Sequence, residues 1–216
     1  MIFPPKCIFC GSILGIRPQV DICEPCLVKV PFIREDAVVE GGKILKNSYF
    51  DKVICLCKYS GIIKQSLIRY KFFNKSCYYR TFAKLLADKV KRMTNLEKFD
   101  IIISVPLHKS KQRVRGYNQS WLISRELSRQ IEVVEGSRLV SRTKSTNAQS
   151  LLSRDERYSN IKDAFILNDT NKIRDKVILL VDDILTTGYT VNECSRLLKE
   201  AGAREVVIAV VASGKF

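Results

Sequence analysis

Apolar runs and periodic stripes divide the chain into elements. Val177 to Val181 is an unbroken apolar run, the pattern of a strand buried on both faces as in a parallel sheet. Val191, Cys194, Leu197, Leu198 and Ala201 follow at helical spacing. Thr190 and Glu193 have the T-x-x-E spacing of a capping box, which predicts a helix start at Thr190, and Gly202 suits its C-terminal stop. Phe99 to Val105 and Val206 to Ala212 read as two more buried strands, and residues 53–59 as a fourth. Tyr79, Phe82, Ala83, Leu86, Val90 and Met93 share one helical face. Ile62 to Phe73 reads as a basic amphipathic helix, with Lys64, Arg69 and Lys71 outside the apolar stripe. Trp121, Leu122, Leu127 and Ile131 mark a helix over 119–131, and Leu139-Val140 ends a short strand. Ser153 and Glu156 have a second capping-box spacing.

From residue 99 onward strands alternate with helices. That order predicts an α/β fold, a parallel sheet flanked by helices with right-handed crossovers. Residues 31–52 read as a connector with room for one short hairpin. The expected organisation is a small module and connector over 1–50 and a larger domain over 51–216. Within the larger domain, 51–98 is a basic strand-helix-helix lead-in and 99–216 the core.

Chemistry enters between the 177–181 run and the helix after it. Asp182 and Asp183 stand at the strand end, and Thr186-Thr187-Gly188 forms a small hydroxyl-rich turn. A helix N-terminus presents unpaired N–H groups and partial positive charge, and a glycine lets an anion approach the backbone. Two acids suit hydroxyls or a cation instead. Phosphate on the loop and hydroxyls on the acids describe a sugar phosphate. The stretch resembles the phosphoribosyl pyrophosphate (PRPP) signature of type I phosphoribosyltransferases. The resemblance assigns Asp182 and Asp183 to ribose hydroxyls and Thr186, Thr187, Gly188, Tyr189 and Thr190 to the 5′-phosphate, with Mg2+ accompanying PRPP. Purine-salvage members carry an Asp where this chain has Thr186, which argues against that subclass.

The cysteines add a second centre. Cys7-x2-Cys10 and Cys23-x2-Cys26 are separated by twelve residues. Two such pairs complete a tetrahedron of thiolates, as in a structural zinc ribbon, and an iron–sulfur cluster is the main alternative. Four cysteine ligands leave no open position for a substrate, so the role is structural. The surrounding apolar residues are too few for a core of their own. Cys55 and Cys57 alternate with apolar neighbours and read as small core residues.

Charge changes the picture again. The chain has 37 Lys and Arg against 22 Asp and Glu, a net charge of +15. The excess falls between residues 51 and 165, the electrostatic footprint of a nucleic-acid binder or of a site for a polyanionic ligand. The stretch after the Phe99–Val105 strand reads as a loop carrying Lys109, Lys111, Arg113 and Arg115. Loops at carboxyl strand ends build the ligand crevice of α/β sheets, which makes Pro106, Leu107, His108 and Lys109 the candidate pyrophosphate loop. His108, the single histidine, suits acid–base work or a structural or phosphate contact equally. Basic contacts to DNA are expected from Lys64, Arg69, Lys71, Lys109, Lys111, Arg113 and Arg115. Tyr70, Phe72, Phe73 and Tyr117, set among these cations, are either stacking platforms or core aromatics.

Val105-Pro106-Leu107-His108 and Arg113-x-Arg115-Gly116-Tyr117-Asn118-Gln119 resemble the ComF (GntX) competence family, as do Arg142-Thr143, Gln149, Leu152, Arg157, Asn160 and Phe165. The resemblance implies a zinc finger joined to a type I phosphoribosyltransferase fold, handling of incoming DNA, and single-stranded DNA and a DNA-uptake helicase as partners. Arg142, Thr143, Lys144 and Gln149 would belong to a hood loop that closes over the site. Three functions stay open: single-stranded DNA binding, phosphoribosyl transfer to an unknown nitrogenous acceptor, and PRPP sensing. The Val206–Ala212 run is far shorter than the roughly 20 residues of a membrane helix. With no leader pattern, a cytoplasmic location is expected.

Overall fold

A computed structural model describes residues 4–15, 18–34, 37–93, 99–144 and 161–216. The first segments hold a short helix α1 (Glu24–Leu27), strand β1 (Val38–Glu40), a second short helix α2 (Gly41–Ile44) and strand β2 (Lys52–Lys58). Helices α3 (Gly61–Phe72) and α4 (Tyr78–Met93) follow, then β3 (Ile101–Ser104). Next come α5 (Lys109–Arg115), α6 (Gln119–Ile131), β4 (Val134–Glu135), β5 (Val140–Arg142) and β6 (Phe165–Leu167). The chain ends with β7 (Val177–Leu185), α7 (Tyr189–Glu200) and β8 (Glu205–Ser213).

The main sheet has six strands in the order β1-β2-β8-β7-β3-β4. All its pairs are parallel except β1 with β2. β1 comes from the stretch read as a connector, where the hairpin's two strands are joined through α2. β5 and β6 make a separate antiparallel pair.

Alternation along the strands builds two cores. Leu179, Val181, Val207 and Val211 face α3, α4 and α6, packing with Leu67, Phe82, Leu86 and Ile123. Ile178, Leu180, Ile208 and Val210 face α7, packing with Val191, Cys194 and Leu198. A strand buried on both faces needs an apolar residue at every position, which is why the 177–181 run has no polar breaks. Cys55 and Cys57 are fully buried in β2, as the alternation with apolar neighbours predicted.

The N-terminal cysteine module sits on the first core. Cys7, Ile8, Phe9, Ile22 and Cys26 are buried against it. Arg69 Nη2 on α3 donates to Phe9 O at 2.8 Å, and the Asp21 N–H donates to Thr81 Oγ1 on α4 at 3.3 Å. A segment poor in apolar residues thus borrows the core of the larger fold.

Three local expectations are corrected. The Thr190–Glu193 capping box does not form. α7 begins at Tyr189, capped by Gly188 in the left-handed region at φ 92° with no side-chain cap. Glu193 is held instead by Arg196 Nη2 at 2.7 Å and accepts from the Asp163 N–H at 2.8 Å. The sharp turn after β7 needs glycine's backbone freedom, which moves the helix start upstream of Thr190. Second, the loop after β3 contains a helix, α5. His108 is its N-cap, with Nδ1 accepting from the Ser110 N–H at 3.2 Å, and Gly116 ends it at φ 79°. Third, β7 runs on past the apolar stretch, so both acids lie within the strand and Asp182 pairs with Val210. The 153–156 capping box lies outside the described residues. Among the described residues, no helix is long and apolar enough to cross a membrane.

Candidate functional site

The two central strands define where the site lies. After β3 the chain passes to α6 on one face of the sheet, and after β7 to α7 on the other. Connections that leave to opposite faces open a crevice at the carboxyl ends of the strands. A cavity of about 710 Å³ occupies that position.

Asp182 and Asp183 line it. Asp182 Oδ1 accepts from the Ser120 hydroxyl at 2.7 Å and from the Asp183 N–H at 2.9 Å. Lys71 Nζ lies 2.9 Å from Asp183 Oδ1, with the two side chains 21% and 8% exposed. Burial, and then the neighbouring Asp183 charge, pushes the Asp182 carboxyl up to about 7, while the Ser120 hydrogen bond and Lys71 pull against the rise. The Thr-Gly loop closes one side, with Thr186, Gly188 and Thr190 lining the cavity. Thr187 Oγ1 accepts from the Tyr189 N–H at 3.5 Å inside the same turn.

The lining is also cationic. Lys111, Arg115 and Arg142 belong to it together with Pro106 and Leu107. Burial pushes the Lys111 ammonium below its ordinary pKa, and repulsion from Arg142 and Arg115 adds to the fall. Burial also lowers Arg142, whose guanidinium lies 5.2 Å from the centroid of the Phe165 ring. Arg115 lies 5.0 Å over the Phe72 ring and donates from Nη1 to Gln119 Oε1 at 3.1 Å. Gln119 is buried, and its Nε2 has no partner among the described residues. Cations held together against their own repulsion make a site for a polyanion.

The cavity thus brings together Asp182, Asp183, Thr186, Gly188, Thr190, Pro106, Leu107, Lys71, Lys111, Arg115 and Arg142. Other expected residues lie elsewhere. Thr187 and Tyr189 support the loop without lining the cavity. His108 caps α5, and Lys109 and Arg113 are exposed on that helix. Lys64 is exposed on α3, and Arg69 is tied to the cysteine module. The Thr143 N–H donates to Ala164 O at 2.9 Å, and Lys144 Nζ to Lys162 O at 3.4 Å. Gln149, like Leu152, Arg157 and Asn160, lies outside the described residues. Of the aromatics, Tyr70 is buried and donates its hydroxyl to Gln119 O at 2.9 Å, whereas Phe72 is 65% exposed and lines the cavity. The Ser120 contact has no local signal, because its partner is 62 residues away.

The second centre is the cysteine cluster. The Sγ atoms of Cys7, Cys10, Cys23 and Cys26 lie within 4.8 Å of one another. Turns set this geometry: the Gly11 N–H donates to Cys7 O at 2.9 Å with Gly11 at φ 80°, and the Cys26 N–H donates to Cys23 O at 3.0 Å. The Ser12 hydroxyl, 3.0 Å from Cys10 Sγ, pulls the Cys10 thiol down to about 6. Four convergent sulfurs, one easily ionised, fit a tetrahedral metal ion.

A mostly parallel sheet with an acid pair in central strand β7 and a Gly-containing turn before the next helix has the form of a phosphoribosyltransferase-type fold. Residues 118–215 match the phosphoribosyl transferase domain family. The chain is 35% identical over 208 residues to competence protein F of Haemophilus influenzae, covering 94% of this chain and 82% of that protein. It is 33% identical over 171 residues to DNA utilization protein YhgH of Escherichia coli, covering 78% and 74%. It is 30% identical over 149 residues to competence protein ComFC of Streptococcus pneumoniae, covering 68% and 62%. The chain belongs to the competence protein F (ComF) family.

Proposed function

We propose that this protein handles DNA during uptake. On this reading its cavity binds a phosphorylated ribose such as PRPP, and its basic surface binds single-stranded DNA. One observation carries the reading. Asp182, Asp183, the Thr186–Thr190 loop and the cations Lys111, Arg115 and Arg142 come together around one cavity, although the cations lie far from the acid stretch in the sequence. The competence and DNA-utilization names of the relatives support the uptake role. The DNA path runs over Lys109, Arg113 and Lys64 toward the exposed Phe72, where a base would stack. Cys7, Cys10, Cys23 and Cys26 hold Zn2+ as a structural ion. The location is cytoplasmic, and the partner that delivers or receives the strand is a DNA-uptake helicase.

A second reading is turnover, transfer of ribose 5-phosphate to a nitrogenous acceptor. The raised pKa of Asp182 favours it, because a carboxyl titrating near 7 in a cavity exchanges protons at neutral pH.

The test is single-strand affinity against salt. Each phosphate contact releases counterions, so log affinity falls with log salt by about 0.7 per contact. Replacing Lys109 and Arg113 with Ala should weaken binding and flatten the slope by about 0.7 for each lost contact. Wild-type binding that is flat between low and moderate salt would sink the reading.

A further inference from the structure

The acid pair has a protein cation on it. Lys71 Nζ is 2.9 Å from Asp183 Oδ1 in a nearly buried contact. The residues on either side hold Lys71 there. Tyr70 is fully buried, with its hydroxyl on Gln119 O at 2.9 Å, and Phe72 lies under the Arg115 guanidinium at 5.0 Å. Asp182 is engaged as well, since its Oδ1 takes both the Ser120 hydroxyl and the Asp183 N–H. A magnesium ion demands near-octahedral oxygen ligation and gives up water reluctantly. At this pair it would have to displace an ammonium from Asp183 and then sit beside that ammonium. The donor set does not fit a divalent ion at the acids.

We infer that Lys71 is a built-in counter-ion of the Asp182–Asp183 pair, so that the site takes a phosphorylated ribose without a divalent cation on the acids. This rests on the proposal that the cavity binds a phosphorylated ribose. The ammonium has three donors and one is used by Asp183, which leaves donors for the oxygen of a sugar hydroxyl. The hydroxyl in turn donates a hydrogen bond to a carboxylate oxygen. Lys111, Arg115 and Arg142 already supply positive charge for the phosphate. The magnesium that accompanies PRPP is then left to the ligand's pyrophosphate.

Ribose 5-phosphate is the probe, because it lacks a pyrophosphate that chelates magnesium. Its affinity is measured by calorimetry on the full, metal-loaded chain, with and without millimolar magnesium. Wild type should change by less than about twofold, and Lys71→Met should become magnesium-dependent by roughly tenfold or more, a usual size for site-to-site coupling. Lys71→Arg keeps the charge and should stay independent of magnesium. Manganese titration of the ligand-free chain, read by electron paramagnetic resonance, tests the pair directly. Lys71→Met should gain a bound ion that adding Asp183→Asn removes, and wild type should lack it. Wild-type affinity that requires magnesium, or wild-type manganese binding that Asp183→Asn abolishes, overturns the inference and leaves the ribose-phosphate reading standing. Equal, magnesium-independent binding in Lys71→Met also overturns it. If ribose 5-phosphate binds in neither buffer, the ribose-phosphate reading fails, and the manganese result alone decides whether Lys71 keeps cations off the acids.

Discussion

The cysteine cluster and the cavity concentrate reactive side chains by opposite means. The cluster takes all four ligands from two tight turns within residues 7–26. The cavity takes its side chains from α3, α5, α6, β5, β7 and α7, spread from residue 59 to residue 191. In the cluster, groups that would repel as thiolates would be reconciled by one metal ion, and their convergence would then stabilise the fold. In the cavity, two carboxylates and several cations are packed by the sheet with only partial compensation, so their convergence costs stability. Residues of the first kind should be indispensable for folding, and residues of the second kind removable.

The largest effect should come from breaking the cluster. Structural zinc contributes roughly 10–16 kcal/mol in finger peptides. Cys23→Ser should release the metal and lower the melting temperature more than any substitution in the cavity. The damage should spread beyond the module, because Phe9 packs on the main core and its carbonyl anchors Arg69. Thermal denaturation, with amide exchange at residues 7–26 and along α3, reads both effects. A module that keeps its exchange protection without metal would erase the contrast between the two regions.

Asp182 tests the other side of the contrast. Its native pKa lies near 7, above the ordinary 3.8 of the unfolded chain. Between about pH 4 and about pH 7 the unfolded chain loses this proton while the native state keeps it, so the carboxyl's contribution becomes less favourable as pH rises through that window, levelling off above it. The slope approaches about 1.4 kcal/mol per pH unit at most. Asp182→Asn should remove this slope and be the more stable protein at neutral pH. Urea denaturation of both proteins across the window measures it. Parallel pH profiles would show that the carboxyl is not strained in the fold.

The same contrast explains what could be read before the structure was known. Spacing within a few residues reveals the paired cysteines, the Asp182–Thr190 stretch and the stripe of α4, because turns and helices are local. The double-sided burial of β7 was legible from five apolar residues. The Ser120 bond to Asp182 and the Lys71 bridge to Asp183 were not, since both depend on how the sheet brings α3 and α6 to β7. Lys71 and Arg69 are two residues apart on one helix and look alike in sequence, yet one reaches the acid pair and the other the cysteine module. The capping box failed for a similar reason: Arg196 and the 163 turn compete for Glu193, and only the tertiary fold brings the latter near.

The smallest effect on stability should come from Phe72, and its value is that it separates folding from binding within α3. Tyr70 and Phe72 are two positions apart, one fully buried and the other 65% exposed beneath Arg115. Removing the Phe72 ring forfeits a cation–π contact worth about 0.5–1 kcal/mol at an exposed site. Its melting temperature should therefore barely move. If a base stacks there, Phe72→Ala should weaken single-strand binding by about 1–3 kcal/mol, read by fluorescence anisotropy at fixed salt. The salt slope should not change, because no phosphate contact is lost. A fall in stability with unaltered binding would return Phe72 to the core and move the DNA path away from the cavity mouth. A fall in affinity with a changed slope would mean that Arg115, released from the ring, was the group touching phosphate.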